Sequence, residues 1–506
     1  MGILSKSNID CRSKFEKGYK TIISRGIKMN VVFEDNLYLG YSRLPTDGPS
    51  NYSGIPKSDN DYLLYNGIIS NTQYLVEKYN LSRGAEEFDT NCLFEGFRKY
   101  EESFLEKCRG MFSFVLVAKD KAILVRDTVG IKPLYYVLTE DLFAFSSEIK
   151  GLAHISPQIV EVLPGEIIRF NRKRFTLIKS KFKYKSMKMY SKNDLQICLK
   201  ESILSLSQRY LSQPKTKRIG VLLSGGLDSS IILKVLVDNL TSSDLKRVVC
   251  LTVGLSGSSD VIKSKRISKE LGVKCIHVKP YSQSYAGKIL KKIIYSVESS
   301  IPRVIKVAIL QDAISIRLKK MGVQVILSGE GADELFYGYE RFVNGQDDKN
   351  TKFGHEEFYK KVFYYTLLQR FDRMFARRQI EGRVPYLDQE VIELSKKFSV
   401  SEKVFKKEDG FISKLPLRNI AKDIGLPRYI YNREKTKTMM GAMSQSNTED
   451  DSGYMEAYMK KKYGKRFADV AKLHFNSLFS EEVDYNLSCQ RSVTEESIMR
   501  KMKHYE

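Results

Sequence analysis

The chain has 506 residues, 42% of them hydrophobic, which is enough for two sizeable cores or three small ones and excludes a disordered protein. A formal charge of +24 invites polyanionic partners, but the basic residues fall in short scattered runs such as Lys460-Lys461-Lys462 and Arg377-Arg378, mostly on polar helix faces, which favours solvated surface over nucleic-acid binding. The seven cysteines stand singly without a C-x-x-C pair or a secretory leader, and no apolar run is long enough to cross a bilayer, so a soluble protein in a reducing, cytoplasmic setting without structural zinc is expected.

Up to about residue 185 the pattern is strand-like. Asn30 to Leu39, Tyr62 to Ile69, Met111 to Ala118, Ala122 to Asp127 and Leu142 to Ser146 are short β-branched and aromatic runs separated by turn residues. A polar, charged stretch without clear period, near 185–192, then divides the chain. After it, Arg218 to Leu223, Val248 to Leu255, Cys275 to Val278 and Val323 to Leu327 read as buried parallel strands. Ile305 to Lys320 has the helical spacing Ile305, Ala308, Ile309, Ala313, Ile316. Strands alternating with helices imply a doubly wound α/β domain, whose ligands bind beyond the carboxyl ends of the strands.

Two loops stand at such ends. Val221-Leu222-Leu223-Ser224-Gly225-Gly226-Leu227-Asp228-Ser229-Ser230 joins a strand to a glycine turn, a carboxylate and an opening helix. Gly225 and Gly226 let the backbone approach an anion that the first helical amides face, so Ser224, Gly225, Gly226 and Ser229 predict a phosphate cradle. Asp228 sits where a cation accompanying the phosphates would be held. The second loop is Ser328-Gly329-Glu330-Gly331-Ala332-Asp333-Glu334. Its three carboxylates would repel polyphosphate unless a divalent cation intervened, so Asp228 and Asp333 are expected to share Mg²⁺, with Glu330 left to act on substrate. An acid-rich helix start would explain Asp333 or Glu334, but not the two glycines flanking Glu330.

The first loop lacks the Lys-Ser/Thr ending of a Walker loop and resembles the pyrophosphatase loop of enzymes that cleave ATP to AMP and pyrophosphate. The ordered set of further motifs is more specific. Asp372-Arg373-Met374, Glu381-Gly382-Arg383-Val384-Pro385-Tyr386-Leu387-Asp388 and Asn432-Arg433-Glu434-Lys435 follow in the second half. Asn66-Gly67, Arg126 to Tyr136 and Phe145-Ser146-Ser147-Glu148-Ile149-Lys150 lie in the first. From Gly2 to about Gly441 the chain resembles the glutamine-dependent asparagine synthetases. This resemblance implies an α+β N-terminal nucleophile-hydrolase-like domain over 1–185, of the glutamine amidotransferase type. An α/β doubly wound parallel-sheet ATP pyrophosphatase domain would occupy 193–443. Residues 444–506 form an extension without an identified counterpart, in which Glu449-Asp450-Asp451-Ser452-Gly453 reads as a flexible link and the rest as helical and basic.

The chemistry implied is attack of an aspartate side-chain carboxylate on the α-phosphate of ATP, departure of pyrophosphate, and displacement of AMP by ammonia. By the same resemblance Leu222 and Val253 flank the adenine, Ser224 to Ser229 hold pyrophosphate, and Ser328 and Gly329 approach the nucleotide through their backbone. Asp228 and Asp333 carry Mg²⁺. Lys435 neutralises charge on phosphate and acyl oxygens, and Glu330 takes a proton from the attacking ammonia. Arg383 with Asp388 is expected to be structural support. The implied partners are small molecules, namely aspartate, ATP and ammonia or glutamine, with no membrane or nucleic acid; a homodimer stays open.

The first half departs from the family's pattern. A working glutaminase of this kind exposes a cysteine directly after the initiator methionine, whereas here the sequence is Met1-Gly2-Ile3. Ile68 stands where the pocket's glutamate belongs, and Asn91 where an aspartate would grip the substrate's α-amino group; Arg43, Asn66 and Gly67 remain. An inactive glutaminase half joined to an ammonia-dependent synthetase half is therefore expected. Two alternatives stand beside it: a related amide-forming ligase acting on another acid, as in the β-lactam synthetases, and a noncatalytic nucleic-acid-binding or scaffold protein.

Overall fold

The computed structural model describes residues 1–6, 9–46, 55–82, 84, 88–213, 217–339, 356–407, 410–433 and 453–483. The first half is built from two antiparallel six-stranded sheets. One runs, in spatial order, Val160–Glu161, Tyr135–Leu138, Leu142–Ser146, Gly2–Ser5, Leu37–Arg43, Lys28–Glu34. The other runs Thr176–Lys181, Glu166–Asn171, Lys121–Arg126, Gly110–Val117, Asp61–Ile69, Lys57–Ser58.

Successive side chains of a strand face opposite ways, and here both faces are apolar. Leu64, Val115, Val117 and Leu124 of one sheet meet Leu4, Leu39, Phe143 and Phe145 of the other, with Phe143 stacked on Phe170 at 4.2 Å. The alternate residues Leu63, Tyr65, Ile69, Phe112 and Phe114 turn outward onto helices Thr72–Tyr79 and Asp89–Tyr100. Helix Arg12–Ile22 covers the first sheet through Phe15 and Tyr19. Helices on both outer faces explain why these strands read as continuous apolar runs. The run Asn30 to Leu39 is a hairpin rather than one strand: Asn36, at φ 59°, turns the chain between Lys28–Glu34 and Leu37–Arg43.

The second half carries the expected parallel sheet, in the order Cys275–Val278, Val248–Val253, Arg218–Leu222, Val323–Leu327, Glu381–Arg383. The last strand has only three residues and no apolar run to betray it. Strand Arg218–Leu222 is central, flanked by one neighbour reached through helix Leu227–Asn239 and another reached only after helix Pro302–Lys320. The strand order reverses there, and its carboxyl end is the crevice in which an open α/β sheet binds ligands.

Helices Gly453–Tyr463 and Phe467–Phe479 are built into the core. Met455, Met459, Phe467 and Phe475 are buried in one cluster with Leu290, Ile293 and Ile294 of helix Gln283–Val297, and that cluster continues into Phe15 and Tyr19 of the first half.

An ionic seam joins the halves. Arg25 pairs with Glu148 at 2.5 Å and with Asp372 at 2.7 Å, and Lys132 reaches Asp372 at 3.0 Å. Glu298 accepts from the Ile149 and Lys150 backbone amides and pairs with Arg373 at 2.9 Å. The segments Arg126 to Tyr136 and Phe145 to Lys150 are thus joining surfaces. Asp127 shapes the first of them, its carboxylate accepting from the amides of Val129, Gly130, Ile131 and Lys132. Burial alone would raise the Asp372 carboxyl, but the charges of Arg25 and Lys132 override it and hold the group at about 2. Arg383 and Asp388 are structural but not paired with each other: Arg383 bonds Glu381 at 2.6 Å and the Leu206 carbonyl, whereas Asp388 binds Arg109 at 2.9 Å and caps helix Gln389–Lys397.

Candidate active site

Helix Leu227–Asn239 buries Ile231, Ile232, Leu233 and Leu236, which fixes its N-terminus at the end of the central strand. The turn before it is held by its own hydroxyls. The Ser224 amide donates to Ser229 Oγ at 3.2 Å, the Gly226 amide to Ser224 Oγ at 3.3 Å, and Ser230 Oγ to the Gly226 carbonyl at 2.7 Å. Gly225 has φ +66°, and a Cβ there would lie 2.7 Å from the Ser264 amide nitrogen, so both conformation and space demand glycine. Arg433 closes the loop from outside, donating to the Gly225 carbonyl at 2.9 Å and pairing with Asp260. Leu222 and Val253 end adjacent strands beside this turn and pack on its core.

The second loop lies directly against the first. A Cβ on Gly329 would come within 2.9 Å of Asp228 Cβ, so the two loops touch across a glycine. The Ser328 amide donates to the Arg383 carbonyl at 3.0 Å, which continues the sheet into the loop. Of the three acids, Glu334 is turned back. It accepts from the Gly331 amide at 3.1 Å and from Tyr339, and burial together with Asp333 pushes its carboxyl up to about 7. Asp333 faces Asp228, and Lys414 Nζ sits between them at 2.6 Å from Asp228 Oδ2 and 2.6 Å from Asp333 Oδ1. Burial alone would lower the Lys414 ammonium, but the two carboxylates outweigh it and hold its pKa above the ordinary range. Glu330 is paired with the buried guanidinium of Arg370 at 2.9 Å. Tyr386 donates to the Asp228 carbonyl at 3.0 Å and steadies the start of the helix.

This arrangement suits Mg²⁺ bound with a polyphosphate. Asp228 and Asp333 each lie 2.6 Å from the same nitrogen and so within about twice that of one another, offering hard oxygen donors that a divalent cation completes from phosphate and water. Among the described residues no group of three or more His, Cys, Asp or Glu forms a metal cage. The bound ion would neutralise phosphate charge. Lys435 lies outside the described residues.

A cavity of about 120 Å³ opens in the first half and reaches the seam. Arg43, Asn66, Gly67, Lys132 and Asp372 line it, together with Met1. Asn91 does not: its side chain donates to the Gly84 carbonyl at 3.1 Å. An acid that does line it lies two residues earlier: Asp89, which accepts from Tyr65 OH at 2.6 Å and the Ile69 amide at 3.0 Å. Asp89 and Thr90 line the cavity, whereas Asn91, in the same first turn of helix Asp89–Tyr100, is directed away from it. Ile68 is likewise outside the lining, packed in an apolar cluster with Met111, Val129 and Ile131.

Lys414, Arg370 and Asp89 escape sequence reasoning for different reasons. Lys414 carries no local motif and is one of 84 basic residues. Arg370 precedes the recognised Asp372-Arg373 pair without belonging to it. Asp89 does have a signal, an acid opening an apolar helical run.

Sequence models of two families match the chain: a glutamine amidotransferase domain over residues 1–195, and asparagine synthase over 214–355 and 342–499. The second match runs on across the segment beyond 444, for which the motifs offer no counterpart. A Methanocaldococcus jannaschii protein named asparagine synthetase (glutamine-hydrolysing) 1 is 30% identical over 397 residues, 73% of this chain and 70% of its own length. Asparagine synthetase (glutamine-hydrolysing) 2 of Arabidopsis thaliana is 28% identical over 422 residues, 79% of this chain and 71% of its own. Amidotransferase-like sandwich, parallel-sheet phosphate loop and facing acidic loop together define an ATP-dependent carbon–nitrogen ligase. The chain belongs to the asparagine synthase family.

Proposed function

We propose that the chain forms asparagine from aspartate, ATP and free ammonia, releasing AMP and pyrophosphate through a β-aspartyl adenylate. The observation that carries the synthetase reading is the contact of the two loops, which brings Asp228, Asp333 and Lys414 together at the carboxyl end of the central strand. Ser224 to Ser229 hold the phosphates, with the amides at the start of helix Leu227–Asn239 facing them. Asp228 and Asp333 hold Mg²⁺ on the polyphosphate, and Leu222 and Val253 flank the adenine. Ser328 and Gly329 approach the nucleotide through their backbone. Glu330, oriented by Arg370, takes the proton from ammonia as it adds to the acyl carbon. Lys435 keeps the charge-neutralising role that the family resemblance gives it.

Dependence on free ammonia rests on the residue before Gly2, a methionine that lines the first-half cavity and offers no thiol, and on Ile68, which brings no carboxylate to it. Arg43 and Asp89 leave that cavity a cation and an anion, so the loss falls on the nucleophile more than on the charges of the pocket. No described helix is long and apolar enough to cross a membrane, and a cytoplasmic location accompanies this reading.

The test is pyrophosphate release and amino-acid analysis with Mg-ATP and aspartate, supplied with ammonium, with glutamine or with neither. Asparagine with ammonium alone is the expected result. Equal activity with glutamine would overturn ammonia dependence, and the absence of aspartate-dependent pyrophosphate would move the assignment to another acid substrate.

A further inference from the structure

We infer that Lys414 is an internal counter-ion that closes the Asp228–Asp333 pair to free divalent cations, so that the metal enters this site only together with the polyphosphate. The inference rests on the reading that these two carboxylates hold the cation accompanying ATP. The position between them is taken by the Lys414 ammonium, with a charge-assisted hydrogen bond of 2.6 Å to each. Lys414 is buried, 5% exposed, so it cannot leave the carboxylates for water without a large movement.

Its backbone is fixed as well. Lys414 has φ +61°, a left-handed conformation uncommon for a side-chain-bearing residue, at the start of helix Leu415–Asp423. Its amide donates to the Phe336 carbonyl at 3.2 Å, which ties it to the acidic loop's own helix. Gly338 makes room for the pair, since a Cβ there would overlap both Asp333 Oδ1 and Lys414 Cε. Strained, buried side-chain placements of this kind persist where the surroundings hold them, and they cluster at functional sites.

The electrostatic consequence follows from charge count. A bare divalent ion entering between the carboxylates must push the ammonium aside and leave it buried without a counter-ion, next to a second cation. A polyphosphate removes both penalties, because it brings the metal part of its shell and gives the displaced ammonium several oxygens to bind. Lys414 thereby makes the cation site conditional on the nucleotide and becomes a phosphate ligand once it yields the carboxylates.

The test is Mn²⁺ binding by the full-length protein, read from the electron paramagnetic resonance signal of free Mn²⁺, with and without α,β-methylene-ATP. The wild type is expected to leave the free signal unchanged in the absence of nucleotide and to take up Mn²⁺ when the analogue is added. Lys414→Met should bind one Mn²⁺ without nucleotide, at least about tenfold more tightly than the wild type, and lose it again when Asp333→Asn is added. Nucleotide-free uptake by the wild type that Asp333→Asn removes would overturn the inference, and this arm does not depend on Lys414→Met folding. So would a folded Lys414→Met protein that binds Mn²⁺ with the analogue yet gains none alone. Failure of both proteins to take up Mn²⁺ even with the analogue would instead overturn the nucleotide site itself, and this inference with it.

Discussion

Arg370 donates from Nη2 to Oε1 of Glu330 at 2.9 Å, and the guanidinium is itself buried, so the carboxylate has a defined direction. A base that acts only on the ammonia step should be dispensable for the step before it. In Glu330→Gln, aspartate-dependent exchange of pyrophosphate into ATP is expected to persist while asparagine formation falls by about 10²–10⁴. Equal loss of both would show that Glu330 serves binding rather than proton transfer. The two glycines around Glu330 make it visible in the sequence, because flanking flexibility beside an acid asks for a reason. Lys414 has no such marker: it lies 186 residues beyond Asp228, and only the folding of helix Leu415–Asp423 against the acidic loop brings the two together. Asp89 and Asn91 share one helical turn, yet two residues of offset turn the Asn91 side chain out of the cavity that Asp89 lines.

At the level of elements, the site depends on how closely two loops approach. Gly329 does not lie at positive φ, so its need for glycine is a matter of space: a Cβ would press on Asp228 Cβ at 2.9 Å. Gly329→Ala is therefore expected to part the phosphate loop from the acidic loop and raise KM for ATP about tenfold or more, with under about 1 kcal/mol lost in folding stability. A large fall in the thermal midpoint with unchanged KM would mean that the glycine serves packing alone. Short apolar runs between turn residues made Leu142–Ser146, Cys275–Val278 and Val323–Leu327 legible to the residue. Glu381–Arg383 was not, because three residues with two charges form a strand only where Val323–Leu327 offers its free edge. The helices beyond 453 read as basic and helical, but their docking was hidden: Gly287 lets Tyr458 come close, a fit between segments far apart in the chain.

For the whole molecule, the halves are held by buried charge as well as by apolar contact, and this sets an acid limit on their union. Asp372 sits in the seam with Arg25 at 2.7 Å and Lys132 at 3.0 Å, and its carboxyl is held at about 2 against an ordinary 3.8. A group whose folded pKa is depressed contributes stability that is fully present above its unfolded value and is lost as pH falls through the folded one. The contribution of Asp372 should thus be intact above about pH 4 and fade toward pH 2, amounting to about 2 kcal/mol. Glu148, lowered by Lys150 and Arg25 against the effect of burial, acts in the same direction. Other carboxylates titrate in this range, so the informative quantity is the difference between the wild type and Asp372→Asn. At neutral pH the variant should be less stable by about 3 kcal/mol, because Arg25 and Lys132 keep their buried charges without that partner. As pH falls from about 4 to 2 the gap between the two thermal midpoints should close, since the wild type loses what the variant never had. A gap that stays constant across that window would mean that Asp372 is held by packing, and that the charges of the seam follow the docking of the halves without contributing to it.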